Sequence, residues 1–259
     1  MPVTDDLSLL IDAAQDAGKI AARYFHGVAD RWDKPGGQGP VTEADLAVDQ
    51  MLREELTAAR PDYGWLSEET EDGAERLSAE HVFIVDPIDG TRSFIEGSTT
   101  WAHSLAIARN GRVEVAVVYL PLRDKLYAAA RGEGATLNHQ PLAVSTRTEL
   151  EGATVLAAKP NFTPSRWINA IVPPVTRAFR SSLAYRLSLV GEGRFDAMMT
   201  LHPTWEWDVA AGSLIVEEAG GTVSDRTRQP ARFNNPAPQL SGMIAGGAFI
   251  HDALMTRLA

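Results

Sequence analysis

The sequence contains no cysteine, which excludes disulfide bonds, thiolate nucleophiles and cysteine-ligated metal sites. It also contains no apolar run that approaches the roughly 20 residues needed for a membrane helix. The first six residues carry two aspartates and no basic residue, unlike the start of a secretory signal. We therefore expect a cytoplasmic protein that has no membrane partner.

Net positive charge and metal-binding histidine patterns are also lacking. The formal net charge is -10, which disfavours binding to a nucleic-acid polymer or to anionic lipid. A local basic cavity for a small anion is still compatible with this charge. The six histidines form no H-E-x-x-H or H-x-H pattern, which argues against a histidine-ligated zinc site.

The chain is long enough for a substantial core. Its 259 residues, 44% hydrophobic and 22% charged, are typical of one large domain or of two closely packed subdomains. Strand signals dominate from about 101 to 144, around the hairpin signal Asn110-Gly111, and strands then alternate with helices. This change predicts an N-terminal α+β subdomain at 1–145 and a C-terminal α/β subdomain at 146–259, in a layered α/β fold.

Hydrophobic spacing and breaker residues place the individual elements. The predicted helices cover 6–26, 42–60, 165–171, 181–192 and 209–219, with one more at the C-terminus. The predicted strands cover 81–85, 104–109, 113–119, 126–130, 154–158, 195–200 and 243–246. A glycine-rich loop is expected at 36–40.

The most informative segment is Val85-Asp86-Pro87-Ile88-Asp89-Gly90-Thr91, in which an apolar strand leads into a turn with two aspartates. Pro87 stiffens the turn, and Gly90 permits a backbone conformation that other residues resist. A short helix that begins at Thr91 would present backbone N–H groups suited to a phosphate. An ordinary aspartate-rich turn with a side-chain cap is the competing interpretation.

Three further carboxylates could join the two aspartates. Glu68 follows a short apolar stretch, and Asp208 directly precedes a helix of small residues. Asp45 lies three residues after Thr42, in the T-x-x-D capping pattern. Each has a purely structural alternative: a solvated charge for Glu68, an N-cap for Asp208 and helix capping for Asp45.

Convergence of these carboxylates would require a cation. Two carboxylates about 4 Å apart repel by roughly 4 kcal/mol at an effective dielectric constant of 20. A ligand set of hard oxygens, without nitrogen or sulfur, favours Mg²⁺, with Mn²⁺ as a substitute. Two such ions about 3.5–4 Å apart suit in-line displacement at phosphorus.

The chain resembles the inositol monophosphatase superfamily, the lithium-sensitive magnesium phosphatases. The resemblance extends over nearly the whole chain and rests on segments in the same order and at similar spacing. These are Pro40-Val41-Thr42-Glu43-Ala44-Asp45, Ser67-Glu68-Glu69, Asp86-Pro87-Ile88-Asp89-Gly90-Thr91, Trp207-Asp208-Val209-Ala210-Ala211-Gly212 and Glu217-Glu218-Ala219-Gly220-Gly221.

The resemblance implies a layered αβαβα fold, a homodimer, two or three Mg²⁺ ions and a role for each matching residue. One metal ion would be held by Glu68, Asp86 and the carbonyl of Ile88, and a second by Asp86, Asp89 and Asp208. Thr91 and Glu68 would orient a water molecule, with Asp45 bonded to Thr91. The backbone at Gly90 and Thr91 would bind the phosphate, and Lys34 would contact a phosphate or a third metal ion.

The substrate within this superfamily is less clearly marked. Inositol phosphatases typically carry an acidic residue seven positions before the last metal aspartate, where this chain has Leu201. Other segments, such as Thr91-Arg92-Ser93-Phe94-Ile95-Glu96-Gly97, look more like bacterial 3'(2'),5'-bisphosphate nucleotidases. Arginine suits a second phosphate and an aromatic ring suits a base. We therefore expect substrate contacts from Arg180, Tyr185 and Arg186, although Tyr185 and Arg186 could simply pack at the helix surface.

The predicted reaction is hydrolysis of a small phosphorylated metabolite by activated water. The preferred substrate is 3'-phosphoadenosine 5'-phosphate, and inositol 1-phosphate is the alternative. Haloacid-dehalogenase-type phosphatases carry D-x-D-G-T, whereas this chain has D-x-x-D-G-T at Asp86–Thr91, which disfavours a phospho-aspartate mechanism. A regulatory binding protein on the same fold is the non-enzymatic alternative.

Overall fold

The computed structural model describes residues 3–25, 30–34 and 39–259. Its α-helices are α1 (Val3–Tyr24), α2 (Glu43–Ala59), α3 (Thr91–Ile95), α4 (Leu183–Gly191), α5 (Glu206–Glu218) and α6 (Ala248–Met255). The strands of the first half are β1 (Arg31–Asp33), β2 (Pro40–Thr42), β3 (Gly64–Ser67), β4 (His81–Asp89), β5 (Ala102–Arg109), β6 (Arg112–Leu120), β7 (Lys125–Ala130), β8 (Gly134–Leu137) and β9 (Gln140–Pro141). The strands of the second half are β10 (Thr154–Leu156), β11 (Thr176–Ala178), β12 (Ala197–Thr200), β13 (Thr204–Trp205), β14 (Thr222–Ser224), β15 (Gln239–Leu240) and β16 (Met243–Gly246).

The larger sheet has seven strands in chain order from β3 to β9. Only the β3–β4 pair is parallel, and the rest of the sheet is an antiparallel meander. The predicted hairpin at Asn110-Gly111 is confirmed between β5 and β6. Both turn residues have positive φ, 50° and 78°, which is the reason that this dipeptide favours tight hairpins.

The larger sheet is covered on both faces because successive side chains of a strand point to opposite sides. On β4, Phe83 and Val85 pack in one apolar cluster with α1 and α2. Val82 and Ile84 pack in a second cluster with α4 and α5. The central strands therefore contain continuous runs of buried apolar residues, such as 82–85 and 105–108, rather than alternating apolar and polar ones.

A second sheet of five strands, in the order β11-β10-β12-β16-β14, lies on the far side of α4 and α5. Met198 of β12 faces the cluster of α4 and α5, whereas its neighbour Met199 faces α6. The layers are therefore helices, sheet, helices, sheet and helix. This confirms the predicted layered αβαβα fold.

Three local predictions need correction. The predicted helix at 165–171 is wrong, because the chain forms two short 3₁₀ turns, Pro164–Arg166 and Ile168–Ala170, with left-handed φ at Asn169 and Ala170. The helix predicted at 209–219 begins earlier, at Glu206. Trp205 is its N-cap residue, so the alternative in which Asp208 caps this helix is also wrong.

The strand predicted at 81–85 continues to Asp89 and thereby includes both aspartates of the turn. The division into subdomains at 145 remains a prediction, since α5 packs against β5 and β6 as well as against β14. Of the loop predicted at 36–40, only Gly39 and Pro40 fall within the described residues. The last residue of the helix predicted at 6–26 also lies outside them. No helix in the described ranges is long and apolar enough to cross a membrane.

Candidate metal centre

A β-bulge brings Asp86 and Asp89 to the same side of β4. Residues three positions apart on a regular strand point to opposite faces. Asp86 pairs with Ser104 and Asp89 pairs with Ala102, so two residues of β4 oppose the single residue His103 of β5. The extra residue resets the alternation of side chains. Carboxylate oxygens of Asp86, Asp89 and Asp208 consequently lie within 4.8 Å of one another.

Asp208 reaches this cluster from the first turn of α5. The preceding carbonyl, that of Trp207, accepts a hydrogen bond of 2.9 Å from the Ser104 hydroxyl of β5. The start of α5 is therefore fixed to the same strand that carries the residue opposite the bulge.

The three carboxyl groups are strongly perturbed because they are close together in a buried site. Burial raises the pKa of Asp89 to about 6, although hydrogen bonds from Ser182 and Ala184 oppose this. Burial, followed by repulsion from Glu68, raises the pKa of Asp86 well above its usual value. Burial and then Asp89 likewise raise the pKa of Asp208. A cation among the three would favour their ionised forms.

The donor set fits a hard divalent cation. Asp86 Oδ1 is buried, and within the described part of the chain it has no hydrogen-bond partner. Asp89 Oδ2, by contrast, accepts bonds of 2.6 Å from Ser182 Oγ and from the Ala184 N–H. A buried acceptor without a donor needs another partner, and carboxylate oxygens are preferred ligands of Mg²⁺.

Glu68 lines the same cavity from the end of β3, and Lys34 is bonded to it. The Lys34 ammonium lies 2.8 Å from Glu68 Oε1 and 2.7 Å from Glu69 Oε1. Burial would lower the pKa of Lys34, but the two glutamates raise it. Burial and the charge of Glu68 raise the pKa of Glu69 to about 7. Lys34 thus forms an ion pair with Glu68, the residue that the sequence predicts to be a metal ligand.

Asp45 connects α2 to Thr91 and also caps its own helix. Its Oδ2 accepts hydrogen bonds from the Thr42 N–H and hydroxyl, which confirms the capping interpretation. Its Oδ1 lies 3.1 Å from Thr91 Oγ1, and the Ile88 carbonyl lies 3.2 Å from the same hydroxyl. Burial raises the pKa of Asp45 to about 6. The capping role and the predicted contact with Thr91 therefore coexist on the two oxygens of one carboxylate.

A cavity of about 790 Å³ opens over these groups. Glu68, Asp86, Asp89, Thr91 and Asp208 form one side of its wall, with Gly90 between the last strand residue and α3. Gly90 has φ 104°, a left-handed conformation that favours glycine, and it aims the chain from β4 into α3. Phe179 and Arg180 also line the cavity.

Two predicted substrate contacts lie behind the wall rather than in it. Tyr185 is 1% exposed and packs in the apolar core between α5 and the larger sheet. Arg186 is 6% exposed and donates hydrogen bonds to the carbonyls of Arg180 and Ser181, while its guanidinium lies 4.4 Å from the Phe179 ring centre. Arg186 therefore supports the cavity wall and Tyr185 the apolar core, and both are buried rather than packed at the helix surface.

Sequence reasoning missed Phe179 and Ser182, which help to form the site. Phe179 lies in the cavity wall with 48% of its surface exposed. Ser182 is the N-cap residue of α4 and also donates to Asp89. A serine before a helix is a common capping signal, but nothing in its sequence context indicates a bond to an aspartate 93 positions away.

Comparison with known proteins shows the family of this chain. A sequence model described as "Inositol monophosphatase family" matches residues 4–258. The chain belongs to the inositol monophosphatase family. It is therefore a metal-dependent phosphatase of a small phosphorylated metabolite, as the sequence predicted.

Relatives in this family support the assignment. An inositol-1-monophosphatase from Rhizobium meliloti is 36% identical over 263 residues, covering 96% of this chain and 94% of the relative. The Nus factor SuhB of Escherichia coli is 34% identical over 232 residues and covers 85% of each chain. The solved structure of an IMPase from Thermotoga maritima has a TM-score of 0.82 at 30% identity and covers 97% of this chain and 96% of that chain.

Proposed function

We propose that this chain hydrolyses phosphate monoesters with Mg²⁺ held by Glu68, Asp86, the Ile88 carbonyl, Asp89 and Asp208. The observation that carries the proposal is the convergence of Asp86, Asp89 and Asp208 within 4.8 Å, with an unpartnered oxygen on Asp86, at the wall of a large cavity. Mn²⁺ is a competent substitute for such an oxygen ligand set. Bound cations supply positive charge that neutralises the phosphoryl group and acidifies water.

The protein side chains orient the attacking water. Thr91 Oγ1 has one hydrogen, and Asp45 Oδ1 is placed to accept it at 3.1 Å. The lone pairs of Thr91 are then available to accept a hydrogen bond from water. Glu68, which lines the same cavity, provides a second acceptor. Phosphoryl transfer depends mainly on positioning and charge, so this arrangement is sufficient without a strong protein base.

The phosphate is proposed to lie against Gly90 and Thr91, where the chain turns from β4 into α3. Lys34 is proposed to contact the phosphate or a third metal ion once it leaves Glu68. Its ammonium lies 2.8 Å from Glu68, which lines the cavity, and this contact supports the role.

A bisphosphate nucleotide is the substrate that the cavity walls support best. Arg180 and Arg92 both line the cavity, and neither has a carboxylate partner among the described residues. The half-exposed ring of Phe179 offers a surface for a planar base. Position 201 is a buried leucine and therefore offers no acidic side chain to bind sugar hydroxyls. We propose 3'-phosphoadenosine 5'-phosphate as the representative substrate.

Inositol 1-phosphate is the second candidate. Two curated relatives with 34% and 36% identity are named inositol-1-monophosphatase, and each match covers 96% of this chain.

The Nus factor relatives also suggest a regulatory binding role in addition to hydrolysis. Inhibition by lithium, a homodimer and a cytoplasmic location are further proposals that rest on the family resemblance. Sedimentation analysis of the purified chain tests the dimer.

Phosphate release from the two candidate substrates tests the proposal. We expect release that requires Mg²⁺ and stops with chelator, with a higher kcat/KM for 3'-phosphoadenosine 5'-phosphate. Phe179→Ala should reduce this preference, whereas Ile171→Ala, at an exposed apolar residue outside the cavity wall, should not. A higher kcat/KM for inositol 1-phosphate would reject the bisphosphate nucleotide as the preferred substrate. Phosphate release that resists chelator would reject the proposed metal site.

A further inference from the structure

We infer that His103 is a positioning residue that maintains the bulge on which Asp86 and Asp89 converge. The inference rests on the proposed metal site and adds to it a residue that no family motif in the sequence marks. His103 is the single residue of β5 opposite Pro87 and Ile88 of β4. It is 0% exposed and does not line the cavity, so it acts through the backbone that it contacts.

The contact is a hydrogen bond between His103 Nδ1 and the carbonyl of Pro87. A carbonyl oxygen only accepts, so Nδ1 must carry the proton and donate. Pro87 and Ile88 have no partner residue on β5, which leaves the backbone of the bulge outside the regular pairing of the two strands. The imidazole thus provides a donor at the place where the register is interrupted.

The other ring nitrogen indicates that the bond to Pro87 is the main polar interaction of this histidine. His103 Nε2 is buried and has no hydrogen-bond partner among the described residues. Burial lowers the pKa of the ring to about 4, so the ring is neutral near pH 7 and carries one donor and one acceptor. An unpartnered buried acceptor is unfavourable, and an apolar residue would avoid it. The bond to Pro87 is the interaction that offsets this.

The consequence of the bond concerns the metal ligands on either side of Pro87. Asp86 precedes Pro87, the Ile88 carbonyl follows it, and Asp89 ends the bulge. If the bulge relaxed toward a regular strand, Asp86 and Asp89 would again point to opposite faces. His103 therefore acts on the geometry of the metal site through the Pro87 carbonyl and from outside the cavity wall.

Asparagine and leucine at position 103 make a matched test. The two side chains have nearly the same shape, and asparagine places an amide nitrogen where histidine has Nδ1. Mn²⁺ binding to each purified, metal-free variant is measured by titration calorimetry, which does not depend on activity. We expect His103→Leu to bind Mn²⁺ about 10–100-fold more weakly than His103→Asn, the usual loss when a group behind a ligand is removed. His103→Asn should remain close to the unaltered protein.

The same substitutions at His251 provide the control. His251 is also buried and is bonded to Ser224, outside the cavity wall. His251→Leu and His251→Asn should bind Mn²⁺ equally well, even if both lower the thermal unfolding temperature. If His103→Leu does not fold, His103→Gln replaces it, since its amide lies one bond farther out and misses the Pro87 carbonyl.

Two results would overturn the inference and are distinguishable. Equal Mn²⁺ affinity of the leucine (or glutamine) and asparagine variants at position 103, with normal binding by the unaltered protein, would reject the role of His103 alone. Absence of Mn²⁺ binding by the unaltered folded protein would reject the metal site itself, and the inference with it.

Discussion

The Lys34 ammonium forms ion pairs with Glu68, at 2.8 Å, and with the adjacent Glu69, at 2.7 Å. Glu68 is a proposed metal ligand, so Lys34 and a divalent cation compete for the same carboxylate. The three side chains are mostly buried, and their interaction is therefore less screened than that of a surface pair.

Replacement of Lys34 should separate metal affinity from catalysis. We expect Lys34→Met to bind Mn²⁺ about tenfold more tightly, equivalent to about 1.4 kcal/mol, because Glu68 is released. The variant should also have a lower kcat/KM at saturating Mg²⁺ if Lys34 contacts the phosphate. Lys19→Met is the control, since Lys19 is exposed, pairs with the nearby Asp16 and does not line the cavity. Unchanged Mn²⁺ affinity of Lys34→Met would contradict the competition.

Asp89 should be indispensable although its substitution is nearly isosteric. Asp89→Asn replaces an anionic carboxylate with a neutral amide at a position that accepts two hydrogen bonds, from Ser182 and Ala184. We expect Mg²⁺-dependent activity to fall by at least about 100-fold, with partial recovery at high Mg²⁺. Asp196→Asn is a matched control, because Asp196 also accepts from a serine hydroxyl and a backbone N–H but lies outside the cavity wall. Near-normal activity of folded Asp89→Asn would reject its metal role.

The stability gained from Mg²⁺ should increase with pH. The pKa values of Asp45 and Asp89 are raised to about 6 and that of Glu69 to about 7 in the folded chain. A raised carboxyl pKa stabilises the folded state below the unfolded value near 4, and this contribution is lost as pH rises through the folded pKa. Each pKa unit corresponds to about 1.4 kcal/mol per group.

Calorimetric unfolding with and without Mg²⁺, compared at each pH, checks this expectation. The difference between the two unfolding temperatures should grow between about pH 4 and pH 6, since Mg²⁺ binds the ionised carboxylate of Asp89. The comparison cancels distant carboxyls such as Asp72, whose bond to Arg76 lowers its pKa. An increment from Mg²⁺ that does not depend on pH would contradict the assignment of Asp89 to the metal site.

Thr91 should act through its hydroxyl rather than through its methyl group. Thr91→Val keeps the shape but removes the bond to Asp45, so we expect kcat to fall by about 100-fold with little change in Mn²⁺ affinity. Thr91→Ser keeps the hydroxyl and should retain most of the activity. Equal kcat values for the valine and serine variants would exclude a role of the hydroxyl in orienting water.

Glu206 should contribute to stability and not to catalysis. Its carboxylate is 0% exposed and accepts hydrogen bonds from the Asn234 and Asn235 N–H groups and from the Asn235 side chain. It therefore faces neither the cavity nor the solvent. In Glu206→Gln an amide donor would meet these donors, and we expect urea unfolding to show a loss of about 1–3 kcal/mol. Glu80→Gln should lose much less stability, because its ion pair with Arg109 is exposed to solvent and screened.

The fold was largely predictable where local signals agree with the tertiary environment. Apolar runs mark the central strands, and Asn110-Gly111 marks a hairpin because its backbone adopts positive φ at both residues. The helix predicted at 165–171 failed because Asn169 and Ala170 adopt left-handed conformations that apolar spacing does not reveal. Tyr185 was predicted to contact substrate, whereas the packing of α4 against α5 buries it.

The sequence by itself determined the chemistry of this protein: its acidic ligand types, the absence of cysteine and the segments that show its family. Only the tertiary structure decided how the ligands meet. Asp86 and Asp89 converge because two residues of β4 oppose one residue of β5, a register that depends on pairing between strands. Such pairing is a property of two distant segments at once, and neither segment encodes it alone.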